Sequence, residues 1–129
     1  MKSILDPLVS YDLARKIKEV LSYSWPVEFV VFPNGQIIAE DMIQDLADSI
    51  PCPSLDMVVR YLIKEIGIVV EPVYEYFQDI TEPQWRYRVI WIGDKYPVVY
   101  GQCSESRDTA ISQGIMSALE QIEYERNRN

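Results

Sequence analysis

The sequence predicts an α+β fold, in which an antiparallel sheet contains a three-stranded meander and the helices pack mainly on one face. Apolar residues recur at helical spacing in four segments, and β-branched and aromatic residues are concentrated in the segments between them. The predicted order of elements is α-β-β-α-α-β-β-β-α. Because strands and helices come in runs rather than in strict alternation, we expect antiparallel pairing.

The first half is predicted to contain a helix, a hairpin and a short second helix. Ser10 is a good N-cap for a helix over 11–22, whose apolar face comprises Leu13, Ile17, Val20 and Leu21. The runs 27–32 and 36–39 flank the turn signal 33–35, which indicates a hairpin. A second apolar stripe marks the short helix; its members are Met42, Ile43, Leu46, Ala47 and Ile50.

The second half is predicted to form a helix, three strands and a last helix. Ser54 is placed to begin the first of these helices, and Gly67 stands where a left-handed C-cap residue belongs. The three strands share a β-branched and aromatic composition and cover 68–77, 85–92 and 97–103. Ser106 is the predicted cap of the last helix. The buried stripe of that helix is Ile111, Ile115, Ala118, Leu119 and Ile122.

Length favours a single domain over 1–129. The chain has 129 residues, 48% of them hydrophobic, and no long Gly-, Ser- or Pro-rich interval separates two cores. Within this domain, the N-terminal helix, hairpin and short helix occupy 1–50, and an α-β-β-β-α unit occupies 53–125.

Charge and composition exclude several classes of function. The formal net charge is −8, and ten acidic residues lie in 40–82 against two basic ones. Such a chain is a poor partner for nucleic acid, because phosphate binding needs clustered Lys and Arg. It has no histidine, which excludes a Ser-His-Asp triad, a Cys-His pair and imidazole-ligated zinc.

Cysteine content and hydropathy predict a soluble, cytoplasmic protein. Two cysteines are too few for a disulfide framework. Asp6 and Pro7 interrupt the apolar run that a secretory signal would need, and no apolar stretch has the length of a membrane span. We therefore expect no membrane partner and no cofactor.

Two local patterns could carry chemistry, and both have simpler explanations. Asp41, Asp45 and Asp48 lie at i, i+4 and i+7, a spacing that could offer carboxylates to a hard cation. We prefer the explanation that they form the solvated face of a helix, opposite Met42 and Leu46. Cys103 precedes a helix N-terminus, which lowers thiol pKa values, but no base is available to assist it. The sequence therefore predicts no catalytic, cofactor-binding or metal-binding residue.

Three segments share a pattern of helix caps and core positions: 53–65, the following Gly67-Ile68-Val69-Val70, and 106–115. They resemble a group of small uncharacterised proteins encoded by bacterial phages and mobile elements. Tyr61 stands where those proteins have Trp. The resemblance covers residues 53–122 and consists of caps and core positions, so it implies kinship and carries over no activity.

The second half is also similar in topology to a double-stranded-RNA-binding domain. That family grips phosphates with a Lys-Lys-x-Ala-Lys cluster at the start of its last helix. This chain has Arg107-Asp108-Thr109-Ala110-Ile111 there, with one cation beside an anion. The shared topology is therefore interpreted as an analogy of fold.

The aromatic residues of the strands form the candidate partner surface, which comprises Trp85, Tyr87, Trp91, Tyr74 and Tyr76. The middle strand alternates these rings with Arg86, Arg88, Ile90 and Ile92. If helices cover the isoleucine side, the rings are an outer surface typical of protein interfaces. If helices cover the rings, the two arginines face solvent and the acids of the neighbouring strand.

The sequence favours a non-enzymatic accessory protein of phage or mobile-element type that binds an unknown protein partner. An acidic mimic of DNA is one alternative, and it requires regularly spaced carboxylates. A hydrolase based on a pair of carboxylates is another, and it requires a cleft. A degenerate RNA-binding-like domain is the third. The oligomeric state is not predicted.

Overall fold

The computed structural model describes the chain over 7–42, 47–75, 84–93, 98–101 and 106–128. The chain forms two compact units, Met1–Asp56 and Met57–Asn129. Each unit combines helical segments with a three-stranded antiparallel sheet, which confirms the predicted α+β class. The assignment of 1–129 to a single domain stays a prediction.

The first helix, α1 (Tyr11–Val20), begins at the predicted cap. Ser10 Oγ accepts a hydrogen bond from the Leu13 backbone N–H at 3.2 Å, which satisfies a donor that the first turn leaves free. The predicted apolar face is buried and comprises Leu13, Ile17, Val20 and Leu21. The helix ends two residues before the predicted end at Ser22.

Strands β1 (Phe29–Val31) and β2 (Ile37–Ala39) form the predicted hairpin in antiparallel register. In the turn, the Asn34 side-chain oxygen accepts a hydrogen bond from the Gln36 backbone N–H at 2.9 Å. Asparagine favours turns because it can form this local contact.

The segment after the hairpin differs from the predicted short helix. A 3-10 turn occupies Glu40–Met42, and 43–46 lie outside the described residues. Strand β3 (Ile50–Pro51) then pairs antiparallel with β1, on the side away from β2, and packs against α1. The predicted helical stripe was wrong for Ile50, which is a buried strand residue opposite Val31. Pairing with a distant strand overrides the local periodicity.

Helix α2 (Leu55–Tyr61) continues as a π-helical turn, Leu62–Ile66, and ends at Gly67. The Gly67 N–H donates to the Leu62 carbonyl at 2.8 Å, and Gly67 has φ 86°. The predicted left-handed C-cap is therefore confirmed. The boundary between the two units falls in the first turn of α2.

Strands β4 (Ile68–Glu75), β5 (Gln84–Trp91) and β6 (Val99–Tyr100) form the predicted meander, with β5 in the middle. Both pairings are antiparallel. Three residues of the predicted strands, Ile92, Val98 and Gly101, lie beyond the ends of β5 and β6. The others, 76–77, 97 and 102–103, lie outside the described part of the chain.

Strand β4 contains a proline at a position that its sheet tolerates. The Ile92 N–H donates to the Gly67 carbonyl at 2.8 Å. Because hydrogen-bonded residues alternate along an antiparallel pair, the odd-numbered residues of β4 bond to β5. Pro72 belongs to the alternate set, whose backbone groups point away from β5. Its missing N–H therefore removes no hydrogen bond of the ladder.

The last helix, α3 (Arg107–Asn127), packs on β4 and β5. Its predicted cap is confirmed, because Ser106 Oγ accepts a hydrogen bond from the Thr109 backbone N–H at 3.0 Å. The predicted stripe is buried at every position: Ile111, Ile115, Ala118, Leu119 and Ile122.

Tyr87 lies against two glycines, one in α3 and one beside β6. A Cβ at Gly114 would stand 2.6 Å from Val70 Cγ1 and 3.1 Å from Tyr87 Cβ. A Cβ at Gly101 would fall within the ring of Tyr87, and the Gly101 N–H donates to the Tyr87 carbonyl at 2.9 Å. Both positions exclude a side chain, which allows α3 and the ring to lie close to the sheet.

We predict that Gly114→Ala destabilises the protein although alanine is the better helix former. The propensity gain of about 1 kcal/mol is smaller than the overpacking cost of about 1–3 kcal/mol. We expect a net loss of up to about 2 kcal/mol in urea unfolding followed by circular dichroism.

Two variants test the cause of this loss. Gln113→Ala, at the exposed neighbouring position, should change the stability little. In a double-mutant cycle, Val70→Ala removes the atom that the new methyl group meets, so the combined loss should be smaller than the sum of the single losses. A stabilised Gly114→Ala protein would contradict the close packing described here.

Candidate functional site

Helix α3 covers the face of the β4-β5-β6 sheet that carries the aromatic side chains of β5. The position of Gly114 adjoins Val70 and Tyr87, and the Trp91 indole N–H donates to Gln121 Oε1 at 2.8 Å. Of the two alternatives that the sequence leaves open, the structure therefore has the one in which the rings lie beneath a helix.

The residues of the candidate partner surface differ in how far they are buried and in what they contact. Tyr87 and Trp91 are half-buried beneath α3. Trp85 is half-buried and contacts Tyr74 edge to face at 4.9 Å between ring centroids, and Tyr74 is 55% exposed. Tyr76 lies outside the described residues. Binding of a partner by these residues stays a prediction.

The opposite face of the sheet, here called the distal face, carries two ion pairs. Arg88 Nη2 contacts Glu71 Oε1, directly across β4 and β5, and Arg86 Nε lies 3.2 Å from Glu75 Oε2. The arginines thus face the acids of the neighbouring strand, as the second alternative predicts. The pairs compensate two carboxylates of the acidic segment, which weakens any likeness to the charge of DNA.

Beside the ion pairs, the distal face is apolar. Strand alternation places Val69, Ile90 and Tyr100 on this face. Ile92 directly follows β5 and Val98 directly precedes β6, and we call these five residues the apolar patch. Ile92 is 59% exposed, Val98 41% and Tyr100 60%. Exposed apolar residues grouped beside charged ones are typical of surfaces that bind other proteins. This patch was not predicted as a partner surface, although Ile90 and Ile92 alternate with the rings in the sequence.

A second feature, the α3 groove, lies between α3 and the β5-β6 side of the sheet. It has a volume of about 370 Å³ and is lined by Trp91, Val99, Ser117, Glu120, Gln121, Tyr124 and Glu125. The five helical residues follow one stripe of α3 with i, i+3, i+4, i+7 and i+8 spacing. The sequence shows that these residues share one face of a helix. The groove itself exists only because the sheet lies beside that face.

The unit Met1–Asp56 contains a larger groove, of about 650 Å³, at the end of its hairpin. Its lining is Val27, Glu28, Phe29, Ala39, Glu40 and Asp41. Of the predicted aspartate cluster, Asp41 lies in the 3-10 turn, Asp48 lies in a turn with φ 69°, and Asp45 is outside the described residues. Over the described ranges, no three His, Cys, Asp or Glu side chains are grouped to hold a metal ion.

Cys52 is a buried free thiol, 1% exposed, and its Sγ donates to the Val9 carbonyl at 3.3 Å. Burial raises the pKa of this thiol from 9.0 to about 11, and the hydrogen bond to Val9 offsets part of the rise. Cys52 therefore lacks the low pKa of a reactive thiol. Cys103 lies outside the described residues.

No family model, curated protein or solved structure matches the chain. Within the part of the chain that the structure describes, none of the helices combines the length and the apolar character needed to cross a bilayer.

The raised pKa of Cys52 predicts a loss of stability at alkaline pH. Between pH 9 and 11 the unfolded chain releases the thiol proton while the folded chain retains it, so the free energy of unfolding falls as pH rises. From pH 8 to 10.5, we expect wild type to lose about 2 kcal/mol more than Cys52→Ala in urea unfolding. Equal losses in the two proteins would contradict the burial of the thiol.

Proposed function

We propose that this protein is a non-enzymatic accessory protein, of the type encoded by phages and mobile elements, which binds another protein through the distal face. The observation that carries the proposal is the apolar patch of that face, where Ile92, Val98 and Tyr100 are exposed. Its kinship with phage-type proteins rests on the sequence resemblance over 53–122.

The arrangement of the distal face supports a protein partner. Interfaces commonly combine an apolar centre with a polar rim, and tyrosine is enriched in them. Here the apolar patch adjoins the Glu71–Arg88 pair, and Arg88 lies opposite Tyr100 in the register of β5 and β6. A partner could bury the apolar patch while the ion pairs stay partly in contact with water.

The charge of the chain supports a protein rather than a nucleic acid. The net charge of −8 repels phosphates, and both distal-face arginines are already beside carboxylates. Exposed charges of one sign chiefly accelerate the encounter with an oppositely charged partner. This supports a partner whose surface is positively charged.

Affinity capture with surface variants tests the proposal. The full chain, immobilised, is exposed to a bacterial lysate beside the double variant Ile92→Ser/Tyr100→Ser and the control variant Tyr74→Ser. We expect one protein that wild type and the control retain and that the double variant loses by at least about tenfold, the effect of a burial loss of about 1.4 kcal/mol or more.

The control separates two surfaces, because Tyr74 belongs to the candidate surface on the α3 side of the sheet. Loss of the captured protein with Tyr74→Ser alone would move the interface to those aromatic residues. Enrichment of nucleic acid by wild type would contradict the proposed kind of partner. Circular dichroism confirms that each variant is folded.

A further inference from the structure

The α3 groove combines aromatic walls with carboxylates at its rim. Trp91 lies on the sheet side, Tyr124 lies on the helix side and is 65% exposed, and Val99 adds apolar surface. Glu120 and Glu125 line the same groove. Aromatic ring faces and carboxylates both attract cations, and neither attracts an anion.

A chain of hydrogen bonds orients the Trp91 ring. Its indole N–H donates to Gln121 Oε1 at 2.8 Å, and Gln121 Nε2 in turn donates to Ser117 Oγ at 3.3 Å. The only polar group of the indole is thus satisfied within the protein. The ring of Trp91 is therefore held in place as part of the groove lining.

The two carboxylates differ in their surroundings. Glu125 contacts the guanidinium of Arg128, with Nη1 3.2 Å from Oε1. A guanidinium therefore already reaches this rim from within the chain. Glu120 is exposed, and the structure gives it no ion pair with any described residue.

We propose that the α3 groove binds an arginine side chain of a partner polypeptide. The planar guanidinium would stack on the exposed ring of Tyr124, beside Trp91, and bring its N–H donors to Glu120. Charge complementarity selects this occupant, because Glu120 lines the groove with no ion pair to a described residue and the chain has a net charge of −8. Lysine matches the charge but lacks the planar group that stacks on a ring.

This inference goes beyond the proposed function and uses a different surface. The groove lies on the α3 side of the sheet, whereas the apolar patch lies on the distal face. The variants Ile92→Ser and Tyr100→Ser leave the groove lining unchanged. The two proposals can therefore fail separately.

The test titrates the full chain with two blocked pentapeptides, acetyl-Gly-Ser-Arg-Ser-Gly-amide and its citrulline analogue, which is neutral and has nearly the same shape. The indole N–H signals in ¹H-¹⁵N spectra are assigned with Trp25→Phe and Trp85→Phe. We expect the arginine peptide to shift the Trp91 signal saturably, with the other two indoles unmoved. The citrulline peptide should bind at least about fivefold more weakly.

Variants of the groove locate the binding. Tyr124→Ala and Glu120→Gln should each weaken arginine binding about two- to fivefold, the size of one exposed cation–π or charge contact. Glu65→Gln removes the same charge from an exposed carboxylate outside the groove and should leave binding unchanged.

Three outcomes would overturn the proposal. They are equal binding of the citrulline peptide, equal shifts of all three indole signals, and equal weakening by Glu65→Gln and Glu120→Gln. Both glutamates are exposed, so their variants should fold, and the melting temperature of each confirms it.

Discussion

The packing of Tyr87 against two glycines is the constraint on which the unit Met57–Asn129 depends. Gly114 lets α3 approach Val70 and the base of Tyr87, and Gly101 leaves room for the ring. A side chain at either position would push apart surfaces that lie in contact, because protein interiors have few voids to take up the added volume. Gly114 therefore permits the close approach of α3 to the sheet, and Gly101 leaves space for the ring of Tyr87.

This packing also decides which surfaces are available for binding. Because α3 lies over Tyr87 and Trp91, the alternate residues of β5 form the distal face, where Arg86 and Arg88 meet carboxylates of β4. The same position of α3 places the stripe of Tyr124 next to Trp91, which creates the α3 groove. The distal face and the α3 groove are thus two consequences of one helix–sheet contact.

The two proposed binding surfaces differ in what they would contribute to an interface. The apolar patch offers area that loses contact with water on binding, which supplies most of the affinity of protein interfaces. The α3 groove offers a small, charge-selective contact, which contributes more to specificity than to affinity. The partner that we propose would therefore combine apolar and basic groups.

The sequence by itself determined the elements whose signals are local. The caps at Ser10 and Ser106 use side chains three residues from their donors, and Gly67 ends α2 through its own backbone conformation. Only the tertiary structure decided the covered face of β5, since rings and isoleucines alternate there and both faces are apolar enough to be buried. It also decided the strand at Ile50 and the role of Gly114, because each depends on a partner distant in sequence, Val31 in one case and Val70 in the other.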